Sequence, residues 1–181
     1  MSWPKIMSRR ATRVSPWVEI VERSVQFNAG DTPELYHAVA QQDYVAIVAR
    51  TPEGKLPIVR QFRPALEKLT WELPAGTIDQ GEPPAECCRR ELFEETGYPA
   101  QTVHVLGSYA PDTARLSNTM HSFFVETGAR SGATEKGMEV KLVTPHELAS
   151  LILSGEFTLQ LHLGALLLAA LRGHLDISEF R

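Results

Sequence analysis

Between Gly76 and Tyr98 the chain holds six acids, Asp79, Glu82, Glu86, Glu91, Glu94 and Glu95, against two bases, Arg89 and Arg90. The 181 residues carry 18 Lys and Arg and 22 Asp and Glu, a formal charge of −4, so the negative excess sits entirely in this segment. Glu82-Pro83-Pro84 reads as a helix entry, because proline is tolerated in the first turn, and Gly97 with Pro99 beyond it reads as an exit. The spacing predicts a helix over 83–96. At about 100° per residue, Glu91 and Glu95 lie one turn apart on one face with Glu94 beside them, next to an apolar stripe of Ala85, Cys88 and Leu92. Like charges so spaced repel by about 0.2–0.5 kcal/mol a pair. Acids in the last turn also face the negative end of the helix dipole, at about 0.3–1 kcal/mol each. Two rules of helix stability are broken at one place, as happens at functional sites, and a hard divalent cation would turn the repulsion into coordination. A merely solvated acidic face is the alternative.

The length suits about one domain, and 43% hydrophobic with 22% charged residues is an ordinary globular composition. The acidic balance argues against a nucleic-acid partner. The longest apolar run, Leu163 to Leu171, is about half the roughly 20 residues of a membrane span, which argues against a membrane partner. Met1-Ser-Trp-Pro-Lys5 lacks the pattern of a secretory signal, and the only cysteines are the neighbours Cys87 and Cys88, so a cytoplasmic location is expected. Both thiols read as small helix residues, with no Cys/His spacing suited to zinc.

Residues 1–14 hold Lys5, Arg9, Arg10 and Arg13, no acid and no clear period, and are expected to form a mobile basic arm. Residues 15–181 are expected to form a single α/β domain with a mixed sheet, opening with strands over 15–40. Strand-like stretches follow at Val18–Glu22, Leu35–Val39, Tyr44–Val48 and Leu56–Phe62, then after the acidic helix at Val103–Ser108, His121–Glu126 and Met138–Val143. Two helices close the chain, Pro145–Leu153 and about Leu159–Arg172.

The acidic segment reads Gly76-x5-Glu82-x7-Arg90-Glu91-Leu92-x-Glu94-Glu95-x-Gly97-Tyr98, and it resembles the Nudix box of the Nudix hydrolases, with Tyr98 where an aliphatic residue is usual. Val59-Arg60-Gln61-Phe62-Arg63-Pro64, Glu72-Leu73-Pro74-Ala75-Gly76, Leu116-Ser117-Asn118 and Glu135-Lys-Gly-Met-Glu139 are similar to the ADP-ribose and nucleoside-diphosphate-sugar pyrophosphatase branch. The resemblance implies a Nudix α/β/α sandwich with N-terminal antiparallel strands that serve a homodimer. It implies Mg2+-dependent hydrolysis of ADP-ribose or a related nucleoside diphosphate sugar to a nucleoside monophosphate and a sugar phosphate, with Mn2+ as a substitute ion. Glu91, Glu95 and the Ala75 carbonyl are then expected metal ligands, and Glu94 a direct or water-mediated one. Arg90 and Glu82 would brace the loop on the helix, while Gly76 would let the loop pass close to the metal and Gly97 would end the helix.

Glu135 is the first candidate for general base and Glu139 the second. Arg63 is the candidate phosphate clamp, because its guanidinium is a planar fork, with a surface ion pair as the other reading. Trp17 is a candidate for stacking on the base, with core packing or a dimer interface as alternatives, and Leu116 and Ser117 are candidates for the substrate pocket. Two further functions compete: sanitation of oxidised nucleoside di- and triphosphates, and a non-catalytic binding module, which should have lost box carboxylates that are all present here.

Overall fold

The computed structural model describes residues 3–181. Its contacts divide the chain into two compact units. One runs as far as Asp43 and takes in Tyr109–Thr119; the other comprises Tyr44–Ser108 and Met120–Arg181.

The first unit is a three-stranded antiparallel sheet of β1 (Lys5–Ser15), β2 (Val18–Gln26) and β3 (Glu34–Ala40). The expectation of an unstructured arm is therefore wrong for Lys5 to Val14, which pair with β2 along their length, Arg9 opposite Arg23 and Arg13 opposite Glu19. An almost wholly exposed, polar strand has no buried face to impose an apolar alternation, so main-chain pairing makes this strand without the pattern that would announce it. The 109–119 segment joins the same unit through Val39, whose N–H donates to the Arg115 carbonyl at 2.7 Å and whose carbonyl accepts from the Ser117 N–H at 3.1 Å.

The second unit contains β4 (Tyr44–Arg50), β5 (Leu56–Arg63), β6 (Lys68–Glu72), β7 (Ala75–Thr77), β8 (Ala100–Tyr109, whose last residue belongs to the first unit), β9 (Met120–Thr127) and β10 (Glu139–Val143). Three α-helices accompany them: α1 (Pro84–Thr96), α2 (Pro145–Ser154) and α3 (Gln160–Leu171). One sheet runs β10-β5-β6 and the other β7-β4-β9-β8, with β4 and β9 parallel and β4 and β7 antiparallel, so the sheet is mixed as expected.

Strand β4 shows how the core is layered. Val45, Ile47 and Ala49 face Cys87, Cys88 and Leu92 of α1, whereas Ala46 and Val48 face a second cluster that includes Leu56, Leu73 and Ala165 and Leu166 of α3. A strand buried on both faces reads as a continuous apolar run, which is what residues 45–49 are. Helix α1 thus lies on one side of β4 and α3 on the other, the α/β/α order.

Candidate active site

The site forms where the chain leaves β6. Pro74 gives its carbonyl to the Ile47 N–H at 2.9 Å, and β7 then lies along β4 with Ala75 opposite Ala46. Because α1 packs on the same strand through Cys87, Cys88 and Leu92, its 91/95 face meets Ala75 and Gly76. Glu95 is 2% exposed, and its Oε2 accepts the Ala75 N–H at 2.9 Å. The Glu91 carboxylate rests on Gly76 so closely that a Cβ there would lie 1.9 Å from its Cδ. Only glycine fits.

Burial without a full complement of counter-charge governs the electrostatics. It pushes the Glu95 carboxyl up to about 8, against the pull of the Ala75 N–H and the Arg63 charge and with a further push from Glu91 and Glu135. Glu91 is raised chiefly by burial as well, although Arg90 opposes the shift. Arg90 is the local cation. Its Nε and Nη2 hold the two Glu82 oxygens, both at 2.8 Å, and its Nη1 donates to Glu91 at 2.7 Å and Glu94 at 3.2 Å. The bidentate contact pulls Glu82 down to about 2. Glu82 also accepts the Asp79 N–H at 3.1 Å, so the pair ties the loop before α1 to the helix.

Helix α1 ends at Gly97, which has a left-handed φ of 75° and donates its N–H to Phe93. The Gly97 carbonyl accepts from Ser131 and Gly132, and the Glu135 N–H donates to the Glu94 carbonyl at 2.9 Å. These bonds bring Glu135 to the acidic end of α1, where its charge acts on both Glu91 and Glu95. Glu139 sits elsewhere, on β10 opposite Arg60 of β5, with which it makes a 3.5 Å ion pair. Arg63 holds Glu72 with a two-pronged contact, Nε to Oε1 at 2.8 Å and Nη2 to Oε2, which leaves its Nη1 edge for another anion.

Trp17, Leu116 and Ser117 belong to the other unit. There Trp17 is 68% exposed, which removes the core reading, and with Pro16, Glu19 and Gln42 it lines a cavity of about 220 Å³. Two further buried residues stand beside the site: Glu72, which opens the Glu72–Gly76 stretch already singled out, and His162, which carries no local signal in the sequence. Glu72 is buried between Arg63 and the Thr70 hydroxyl, which donates to it at 2.6 Å. His162 is fully buried, and its Nδ1 accepts the Leu73 N–H at 3.1 Å.

Comparison with known proteins fits this geometry. A family model, that of the NUDIX domain, matches residues 40–159. The chain belongs to the Nudix family. It is 39% identical over 82 residues to an ADP-ribose pyrophosphatase of Bacillus subtilis (strain 168), 45% of this chain and 44% of that one. It is 43% identical over 88 residues to an ADP-ribose pyrophosphatase of Mycobacterium tuberculosis (strain ATCC 25618 / H37Rv), 48% of this chain and 42% of that one. The chain thus spans less than half the length of either relative. A crystal structure described as that of an ADP compounds hydrolase superposes with a TM-score of 0.78 at 19% identity, covering 97% of this chain and 98% of that one, which fixes the shared fold.

Among the described residues of this Nudix chain, no three acidic, imidazole or thiol groups close on a single point. Glu91 and Glu94 are drawn to Arg90, and Glu95 to the Ala75 amide. What suits a hard divalent ion is the donor set: all-oxygen and acidic, with Arg90 in contact with Glu91 and Glu94 and the Arg63 charge acting on Glu95.

Proposed function

We propose that this Nudix chain hydrolyses the diphosphate bond of ADP-ribose or a related nucleoside diphosphate sugar, releasing a nucleoside monophosphate and a sugar phosphate, with Mg2+ as cofactor and Mn2+ as a substitute. The observation that carries this reading is the Glu91 and Glu95 pair buried against Ala75 and Gly76, with Glu94 and Glu135 at the same helix end. The names of the relatives point to the same substrate class.

Glu91, Glu95, the Ala75 carbonyl and Glu94 would hold the ion. When bound, it supplies charge neutralisation on the phosphoryl oxygens. Glu135, exposed on a loop tied to α1, takes the proton of the attacking water. Arg63 is braced by buried Glu72 and offers its remaining N–H edge to a phosphate, while the Arg90–Glu82 pair holds the loop that carries Gly76. Glu139, engaged with Arg60, is the second candidate for the base.

The molecule works as a homodimer in the cytoplasm, its strands over 15–40 forming the interface. Trp17, exposed in the turn between β1 and β2, and Leu35 and Tyr36, exposed on β3, support the dimer, and two buried, unbridged thiols fit the location. In that arrangement Trp17 stacks on the base and Leu116 and Ser117 line the substrate.

A panel of ADP-ribose, ADP-glucose, GDP-mannose and 8-oxo-dGTP with Mg2+ tests the substrate class. The expected result is a nucleotide-sugar preference; a preference for 8-oxo-dGTP would replace it with the sanitation reading, and inactivity on all four would favour a binding module.

A further inference from the structure

The strand end that delivers Ala75 and Gly76 to α1 presents three alternate amides along one edge, at positions 71, 73 and 75, and each is met by a different kind of acceptor. The Trp71 N–H donates to the Glu156 carbonyl at 3.2 Å, where Phe157 makes a parallel bridge to Trp71. The Ala75 N–H donates to the Glu95 carboxylate. Between them, the Leu73 N–H has no strand beside it, and the Nδ1 of His162, reaching from the first turn of α3, accepts it at 3.1 Å. A buried amide without an acceptor is strongly disfavoured, so the imidazole completes the edge that main chain alone leaves open.

Accepting at Nδ1 puts the ring proton on Nε2. That atom is buried and has no hydrogen-bond partner among the described residues. The bond to the Leu73 N–H is thus the ring's one hydrogen bond among the described residues. Burial also pushes the ring down to about 4, so Nδ1 keeps its lone pair at neutral pH.

We infer that His162 is a positioning residue: by holding the Leu73 amide, it fixes the strand end that sets the Ala75 carbonyl and Gly76 against the Glu91 and Glu95 carboxylates. The inference rests on the reading of Ala75 as a metal ligand. It assigns a role in the site to α3, a helix outside the acidic segment. Nothing in the sequence around His162 signals it.

The test compares wild type with His162→Phe, which keeps volume and removes the acceptor, and His162→Asn, whose Oδ1 can take the place of Nδ1. Amide exchange at Leu73 and Mn2+ affinity without substrate are the readouts. In wild type the Leu73 amide exchanges slowly and ring nitrogen shifts report an unprotonated Nδ1. His162→Phe loses protection at Leu73 and binds Mn2+ about tenfold more weakly, as loss of a supporting contact to a metal site does. His162→Asn recovers both. An exposed-like Leu73 amide or a protonated Nδ1 in wild type overturns the inference, as does Mn2+ binding at wild-type strength in His162→Phe. If His162→Phe does not fold, the wild-type exchange rate and His162→Asn decide. Neither readout requires turnover, so an enzyme inactive on nucleotide sugars would sink the proposed function while leaving this inference to stand or fall by itself.

Discussion

Gly76 is the position at which a single methyl group would press directly on a candidate metal ligand. A Cβ there would lie 1.9 Å from the Glu91 Cδ, so Gly76→Ala must drive that carboxylate out of place. Displacement on the order of 1 Å at a catalytic centre can cost about 10²-fold in rate. Gly76→Ala is therefore expected to lower kcat by about that factor while circular dichroism stays native; unchanged kcat would mean that Glu91 has another working position. The same scale fixes an acid response. Folded His162 lies near 4 against its ordinary 6.5, so between those values the unfolded chain binds the extra proton. Stability from this group is complete above pH 6.5 and falls by about 3 kcal/mol as pH drops to 4. Glu82, pulled down to about 2 from 4.5, adds a second loss below pH 4.5. Glu95, pushed up to about 8, acts with the opposite sign between pH 8 and 4.5, so the His162 contribution is read as the difference in urea midpoint between wild type and His162→Asn, which should shift against wild type as pH falls from 6.5 to 4. The box carboxylates, Arg90 and Gly97 were legible in the sequence because their spacing is local. Glu72 was legible as the start of the Glu72–Gly76 stretch but its bond to Arg63 was not, and His162 was not legible at all, because its partner Leu73 lies 89 residues away.

At the scale of elements, helix ends carry the testable content. Gly97 has φ of 75°, and a Cβ there would come within 2.2 Å of the Gly132 carbonyl oxygen. Gly97→Ala thus meets both a conformational and a backbone clash, expected to cost more than about 1 kcal/mol and to release the loop carrying Glu135. Thermal unfolding with turnover measures both, and a variant as stable and active as wild type would contradict the packing. Helix α2 begins with a reciprocal capping box, in which Thr144 accepts the Glu147 N–H and Glu147 accepts the Thr144 N–H at 2.7 Å. Thr144→Ala should cost about 1 kcal/mol with no change in kcat. All three helices were legible to within two residues, since their turns, prolines and periodicity are written locally. The short strands β6 and β7 and the exposed β1 were not: β6 and β7 are defined by their partners, and β1 buries no face.

For the whole molecule, no helix among the described residues is long and apolar enough to cross a membrane. The division into two units was not legible, because it depends on Tyr109–Thr119 returning to β3 from far along the chain. As a homodimer, the protein should sediment at micromolar concentration with twice the 20.1 kDa mass of the chain, and a monomer alone would overturn that assignment. Hydrolysis itself is most directly tested by following ADP-ribose with Mg2+ by phosphorus NMR, wild type beside Glu95→Gln. Conversion to AMP and ribose 5-phosphate by wild type, and its loss in a folded Glu95→Gln protein, is the predicted result. Full activity in Glu95→Gln, or an inert wild type, would contradict it.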